Sequence, residues 1–416
     1  MRLVTRTLRS PPHDGGAHSA PARERRGAGG PPRYLMDRLF TPHFFLMCGY
    51  SFTVFLSAFL LFPTAPFHIR DLGGSTFAAG LFLGLLTYSS AFSAPFTGSL
   101  GDRIGHKKML IICSLAIAGF TVAYAVVPDW RVTLALVVPH GVFWSGLLSA
   151  SGAYMMSLLP EKRRGEGISY WGLSSIIAIA VAPLSGFWIY RFGWLWVCAV
   201  MLTLNLIMTA IATTLKEMKH DHGPGEVEAP AHGVLDWRVF FLALTVFLYA
   251  FSYGGITSFS ALYAETHGIA PKSIFLTTLA GVMLISRPFS APLGDRFGYR
   301  RIFVPCLLLA TVGLSILPLG PTRASMMTAA IIFGLGFGSA FPVFTAYVMQ
   351  RVDPRRRGAA YGAIIAAFDT GIGTGSTSMG WIIQRFGYKP AWVVAAAVSA
   401  FAVPYFFVAD KRWRQQ

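Results

Sequence analysis

Apolar stretches of about 20 residues follow one another along almost the whole chain, each long enough as a helix to cross roughly 30 Å of hydrocarbon. Twelve spans are predicted, near 44–66, 76–98, 109–127, 132–158, 167–189, 194–214, 239–263, 273–293, 302–319, 324–349, 359–383 and 390–409. The mean hydropathy of +0.54 and a charged fraction of only 13% exclude an ordinary soluble domain. Spans 132–158 and 324–349 are long, as tilted or kinked helices require.

The chain is also written twice. Gly101-Asp102-Arg103-Ile104-Gly105-His106-Lys107-Lys108 recurs as Gly294-Asp295-Arg296-Phe297-Gly298-Tyr299-Arg300-Arg301, an offset of 193 residues. Ser-Ala-Pro precedes both clusters, and Arg163-Arg164-Gly165 matches Arg356-Arg357-Gly358 at the same offset. Each cluster stands between two apolar spans, so one membrane module with a charged hairpin loop is repeated.

The net charge of +17 would suit nucleic acid if it were clustered, but its distribution argues otherwise. With a cytoplasmic N-terminus, 27 of the 35 lysines and arginines fall on the cytoplasmic side. Seven fall on the other: Arg70, Arg131, Arg191, Lys272, Arg323, Arg385 and Lys389. This is the positive-inside pattern, which predicts both termini in the cytoplasm of a multi-pass cell-membrane protein. The excess charge then reports orientation and anionic lipid, not nucleic acid. Cys48, Cys113, Cys198 and Cys306 lie singly within apolar spans and read as small buried hydrophobes, with no metal-ligand spacing.

Five segments follow: a basic leader (1–43), a first six-helix bundle (44–214), a cytoplasmic linker (215–238), a second bundle (239–409) and a cytoplasmic tail (410–416). Residues 1–35 have no apolar run, which predicts disorder and excludes a secretory signal. A translation start at Met36 and a genuine basic tail are both compatible with this leader.

The first loop cluster carries a resemblance. Gly98-Ser99-Leu100-Gly101-Asp102-Arg103-Ile104-Gly105-His106-Lys107 is similar to the signature Gly-x-Leu-Ala-Asp-Arg-x-Gly-Arg-Lys of the major facilitator superfamily, over a chain resembling that family across roughly residues 36–410. Gly101 and His106 depart from the pattern. The resemblance implies an all-α polytopic membrane protein of twelve transmembrane helices, in two six-helix bundles related by a pseudo-two-fold axis. It further implies alternating access around a central site, with Gly98, Asp102, Arg103, Gly105 and Lys107 and the repeated Asp295, Arg296, Gly298 and Arg300 gating the change. When the cytoplasmic side is closed, Asp102 would meet the positive N-terminus of the helix starting near Gly358, and Asp295 the one near Gly165, contacts that form and break as the halves rock.

Asp369 stands out among the 18 acidic residues as the one well inside a span. An ionised carboxylate at that depth is costly without a partner, and taking up a proton removes most of the cost. Arg287, in helix 8, lies at a comparable depth and could pair with it. A static pair and a proton- or substrate-linked role both fit. His140 is a further titratable group, either hydrogen-bonded to a neighbouring helix or part of a relay. Exporters of the family often carry an Arg where this chain has Val137.

In helix 5, Pro183 and Gly186 match the exporter pattern Gly-Pro-x-x-Gly-Gly, with Ala178 and Ala182 at other glycine positions. No sugar-porter signature follows helix 6. The strings Gly334-x-Gly336-x-Gly338 and Gly371-x-Gly373-x-Gly375 lie mid-span without a βαβ context and read as close helix contacts, not dinucleotide loops. Trp144, Tyr249 and Tyr253 are candidates to line the substrate cavity.

The expected activity is proton-coupled efflux of a small organic solute, with uptake as the nearest alternative. A non-transporting receptor is a rival class, and an enzyme finds no nucleophile elbow or metal cluster. The implied partners are a small-molecule substrate, protons and the lipid bilayer. Neither nucleic acid nor a cofactor beyond the proton gradient is expected, and the chain should be a monomer.

Overall fold

The computed structural model describes residues 39–160, 163–217, 237–352 and 357–415. The leader, Met36 and most of the predicted linker lie outside the described residues. From Leu39 onward the chain packs as one unit. Among the described residues it forms twelve long helices. In the first half these are α1 (Pro42–Asp71), α2 (Thr76–Ile104), α3 (His106–Val126), α4 (Trp130–Leu158), α5 (Arg164–Tyr190) and α6 (Trp194–Thr214). The second half contains α7 (Trp237–Thr266), α8 (Ile274–Phe297), α9 (Tyr299–Ile316), α10 (Arg323–Met349), α11 (Arg357–Phe386) and α12 (Tyr388–Gln415).

Local chemistry sets the helix starts. Thr41 accepts from the Phe44 amide at 3.2 Å with Pro42 behind it, and Ser75 and Asp129 cap α2 and α4 in the same way. Thr322 and Ser325 form a reciprocal capping box on α10. Ten helices are long and apolar enough to span a bilayer among the described residues. Helix α8 is apolar over Ile274–Phe289, and α11, rich in Gly, Ser and Thr and bearing Asp369, is the polar exception.

The repeat seen in sequence is a repeat in packing. In the first half α2 packs on α4, α1 on α5 and α6, and α3 on α4 and α6. In the second half α8 packs on α10, α7 on α11 and α12, and α9 on α10 and α12. Each half is thus a six-helix bundle, and the two are joined through α2 with α11, α5 with α8 and α1 with α7, the set a two-fold axis would exchange.

The repeated glycines have a definite job. Gly105 and Gly298 adopt φ of +94° and +88° and make the one-residue joints between α2 and α3 and between α8 and α9. A side chain there would be strained, which is why glycine recurs at this place in each copy.

Candidate functional site

The two halves meet along a seam whose residues are mostly small. A Cβ on Gly80 would stand 2.4 Å from the Ser376 carbonyl oxygen, and one on Gly373 would stand 2.5 Å from Thr87 Oγ1. Gly84 against Thr377 and Gly380 against the Thr76 carbonyl repeat the theme, so α2 and α11 touch backbone to backbone. Hydrogen bonds run up this seam. The Phe77 amide donates to Gln384 Oε1 at 2.9 Å, Ser376 to the Gly80 carbonyl at 2.8 Å, Tyr88 to Thr374 Oγ1 at 2.9 Å, and Ser90 to Asp369 Oδ2 at 3.3 Å.

Ser90–Asp369 is the last rung. Among the described residues, the hydrogen bonds joining the halves all lie between it and the end opposite the charged loops. Beyond it, toward the loops, Phe92, Phe96 and Leu100 of α2 and Tyr361 of α11 are exposed, and Gly98 and Gly362 have no neighbour where a Cβ would be. The halves close at the far end and part at the loop-bearing end. At the far end Lys272 lies 5.2 Å over the ring of Phe67 from the other half and pairs with Glu265, while Tyr190 donates to Asp71.

The glycine strings resolve into two faces each. Gly371 and Gly375 press on the backbone of α7 at Phe247 and Phe251, and Gly373 faces α2. Gly334 and Gly338 press on α8, and Gly336 on the Cys306 carbonyl of α9. Alternate glycines let one helix approach two others at once.

The ion pair with Arg287, one of the two alternatives left open for Asp369, is not made in this conformation; the carboxylate accepts from Ser90 instead. Arg287 is half-buried on α8. Aromatic rings gather on both halves. Trp144 meets Phe55 and Phe62 edge-on at 6.1 Å, and Tyr253 stacks on Phe337 at 4.5 Å. Tyr249 meets Phe337 and Phe368, and Phe341 meets Phe368. The three predicted cavity residues, Trp144, Tyr249 and Tyr253, are themselves buried, and the rings with remaining exposure are Phe55, Phe59, Phe341 and Phe368.

The gating loops are not engaged in this conformation. Asp102 does not reach the start of α11: its side chain is 66% exposed and lies 3.7 Å from His106. Asp295 does not reach α5 and instead accepts from Tyr299. Arg103 and Arg296 are exposed, and Lys107 is half-buried.

Arg300 has a different partner, Asp410, at 2.7 Å; Asp410 is fully buried and also accepts from Tyr347. In the first half Lys108, which corresponds to Arg301 rather than Arg300, lies 3.8 Å from the exposed Glu217, and Tyr154 donates to the Lys216 carbonyl at 2.9 Å. Sequence reasoning missed Asp410 by placing it in the tail, although Tyr154/Tyr347 and Glu217/Asp410 keep the offset of 193. Asp410→Ala leaves Arg300 and Tyr347 facing a gap, and a loss on the order of 2 kcal/mol is expected, below the fully buried case because Arg300 is partly exposed. Thermal unfolding in detergent checks this, and an unchanged midpoint would contradict it.

His140 sits inside the first bundle, its Nδ1 3.0 Å from the Tyr124 hydroxyl and its ring stacked on Phe120. This is the hydrogen bond to a neighbouring helix, away from the seam. In α5, Gly186 lies against Leu60 of α1, with a Cβ position 3.1 Å from Leu60 Cδ2, and Ala178 and Ala182 are fully buried. Pro183 is buried in the same stretch. The helix 5 motif therefore packs α5 on α1.

Two pseudo-symmetric helical bundles, joined at one end and parted at the other around a carboxylate and two aromatic clusters, define a membrane carrier. The Major Facilitator Superfamily model matches residues 47–284 and 242–415, and the chain belongs to that family. It is 23% identical over 345 residues to the staphylopine export protein of Staphylococcus aureus, covering 79% of this chain and 86% of that protein. An uncharacterized MFS-type transporter of Pseudomonas aeruginosa is 25% identical over 376 residues, covering 88% and 92%. Among solved structures, a bacterial homologue of the human lysosomal transporter Spinster, inward-facing and occupied, superposes with a TM-score of 0.73 at 16% identity, covering 92% of this chain and 98% of that one. The nucleoside transporter NupG gives a TM-score of 0.68 at 16% identity, covering 89% and 100%.

Proposed function

We propose that this chain exports a small organic solute by proton antiport, with both termini and the charged loops on the cytoplasmic side. The observation that carries the reading is the position of Asp369 at the innermost rung of the seam between the halves. A carboxylate there exchanges partners whenever the seam opens at one end and closes at the other. Protonation and conformation are then linked through one group, because each state stabilises a different charge on it. The conformation described here is, on this orientation, open to the cytoplasm, the state in which an exporter loads. Export is favoured over uptake by the name of one relative, the staphylopine export protein.

The gating loops act in the opposite state. Asp102 and Asp295, exposed here, would engage the N-termini of α11 and α5 when the cytoplasmic end closes. Proton coupling and export are tested together by a compound-panel efflux assay in an exporter-deficient bacterium. Reduced accumulation of a compound, reversed by a protonophore, is the expected result. Raised accumulation would replace export by uptake.

A further inference from the structure

The first bundle holds a small cavity that the carrier reading does not use. Its volume is about 10 Å³; its polar walls are Ser57 of α1, His140 of α4 and Asn205 of α6, and Trp144 and Phe62 stand on its apolar side. Room of that size admits one water and nothing larger. Asn205 is almost fully buried, and its neighbours fix which way its amide turns. The Thr121 hydroxyl donates to the Ile117 carbonyl at 2.9 Å, which commits its one proton. Toward Asn205 it can therefore only accept, so the amide nitrogen faces it at 2.9 Å and the amide oxygen is left over. That oxygen is buried, and no described group of the protein donates to it. Leaving an acceptor buried and unfilled is costly, and native interiors avoid it.

The other wall of the cavity has a polar atom to spare. His140 uses Nδ1 with the Tyr124 hydroxyl at 3.0 Å, which leaves Nε2 as its remaining polar atom. When the phenol donates to Nδ1, Nε2 carries the ring proton and is itself a donor. We propose that one water occupies this cavity, accepting from His140 Nε2 and donating to Asn205 Oδ1, with the Ser57 hydroxyl as a third partner. Three bonds is the usual complement of a buried water. The bonds then run in one direction, from the Tyr124 hydroxyl through His140, the water, Asn205 and Thr121 to the Ile117 carbonyl. They tie α1, α3, α4 and α6 together behind the Trp144 ring. Both nitrogens of His140 are committed in this chain, so the histidine positions the first bundle and carries no proton across the membrane. The inference is independent of the solute, the direction of transport and the role of Asp369.

Electron cryo-microscopy of the purified full-length protein, at a resolution that shows ordered water, reads the site directly. A single peak is expected about 2.7–3.0 Å from both Asn205 Oδ1 and His140 Nε2. No peak there, or one too close to the amide oxygen to be water, would overturn the proposal. Nitrogen-15 labelling of the histidines, with His140→Gln to assign the signal, reads the tautomer. A proton on Nε2 and an accepting Nδ1 are expected; a proton on Nδ1 would overturn the proposal. Asn205→Leu keeps nearly the same volume and removes the amide. With the water in place this breaks the chain, and both loss of the peak and a lower thermal midpoint are expected. If instead the amide oxygen is unfilled in the native protein, an apolar replacement relieves it and the midpoint rises. An equal or higher midpoint, or a peak that survives the substitution, would overturn the proposal.

Discussion

Asp369→Asn is expected to abolish gradient-driven accumulation while the protein still folds and still binds solute. The substitution keeps the size of the side chain and its ability to accept from Ser90 at the innermost rung of the seam. It removes the ability to carry a proton. A pH difference of one unit across the membrane is worth about 1.4 kcal/mol per proton, or roughly a tenfold concentration ratio for one-to-one exchange. In proteoliposomes with such a gradient imposed, the wild-type ratio should approach that limit and the variant ratio should stay near unity. Downhill flux of the same solute should survive. A variant that loses downhill flux and folded yield together would make Asp369 a structural group of the seam, and one that still concentrates solute would remove it from coupling altogether.

Gly80→Leu is expected to force the far end of the seam open. A Cβ at this position stands 2.4 Å from a backbone oxygen of α11, and no change of rotamer relieves a clash with backbone. Overpacking of this kind costs about 1–3 kcal/mol. That cost falls on the conformation in which α2 and α11 touch here and spares the one in which they part. The equilibrium between the two should therefore shift by about 5- to 150-fold toward the state with the far end open. Spin labels on the far ends of α2 and α11 would report the change as a longer distance, and transport would fall with it. Leucine at Gly362, which has open space around it in this conformation, should produce the reverse bias by obstructing closure of the loop-bearing end. Unaltered distances in both variants would mean that the small-residue faces are incidental to the motion.

Much of this was legible beforehand because it depends on local properties of the chain. The apolar spans, the doubled loop and the joints at Gly105 and Gly298 follow from length, periodicity and the conformational freedom of one residue type. The glycine strings were readable as close contacts, but which glycine faces which helix was not, because that depends on how each helix is rotated about its axis. The same limit is why the sequence left open whether Arg287 and Asp369 pair. Their depths along the helix axes matched, and depth is what counting residues can supply. Lateral position is not, and it is lateral position that sets the carboxylate against Ser90 of the opposite half. Asp410 is hidden from the sequence for a related reason: it stands near the chain end, while its partners Arg300 and Tyr347 come from two other helices.

By itself the sequence determined that this protein crosses the membrane in two copies of one helical module, and which few ionisable groups go into the membrane with it. Those are consequences of backbone hydrogen bonding and of the cost of charge in hydrocarbon, and both act on each segment separately. Only the tertiary structure decided which end of the seam is closed, and hence that Asp102 and Asp295 stand exposed while Asp369 holds the last bond between the halves. Such a choice lies between two packings of the same helices that differ by a few contacts, a difference too small and too distributed to be written in the periodicity of any one of them.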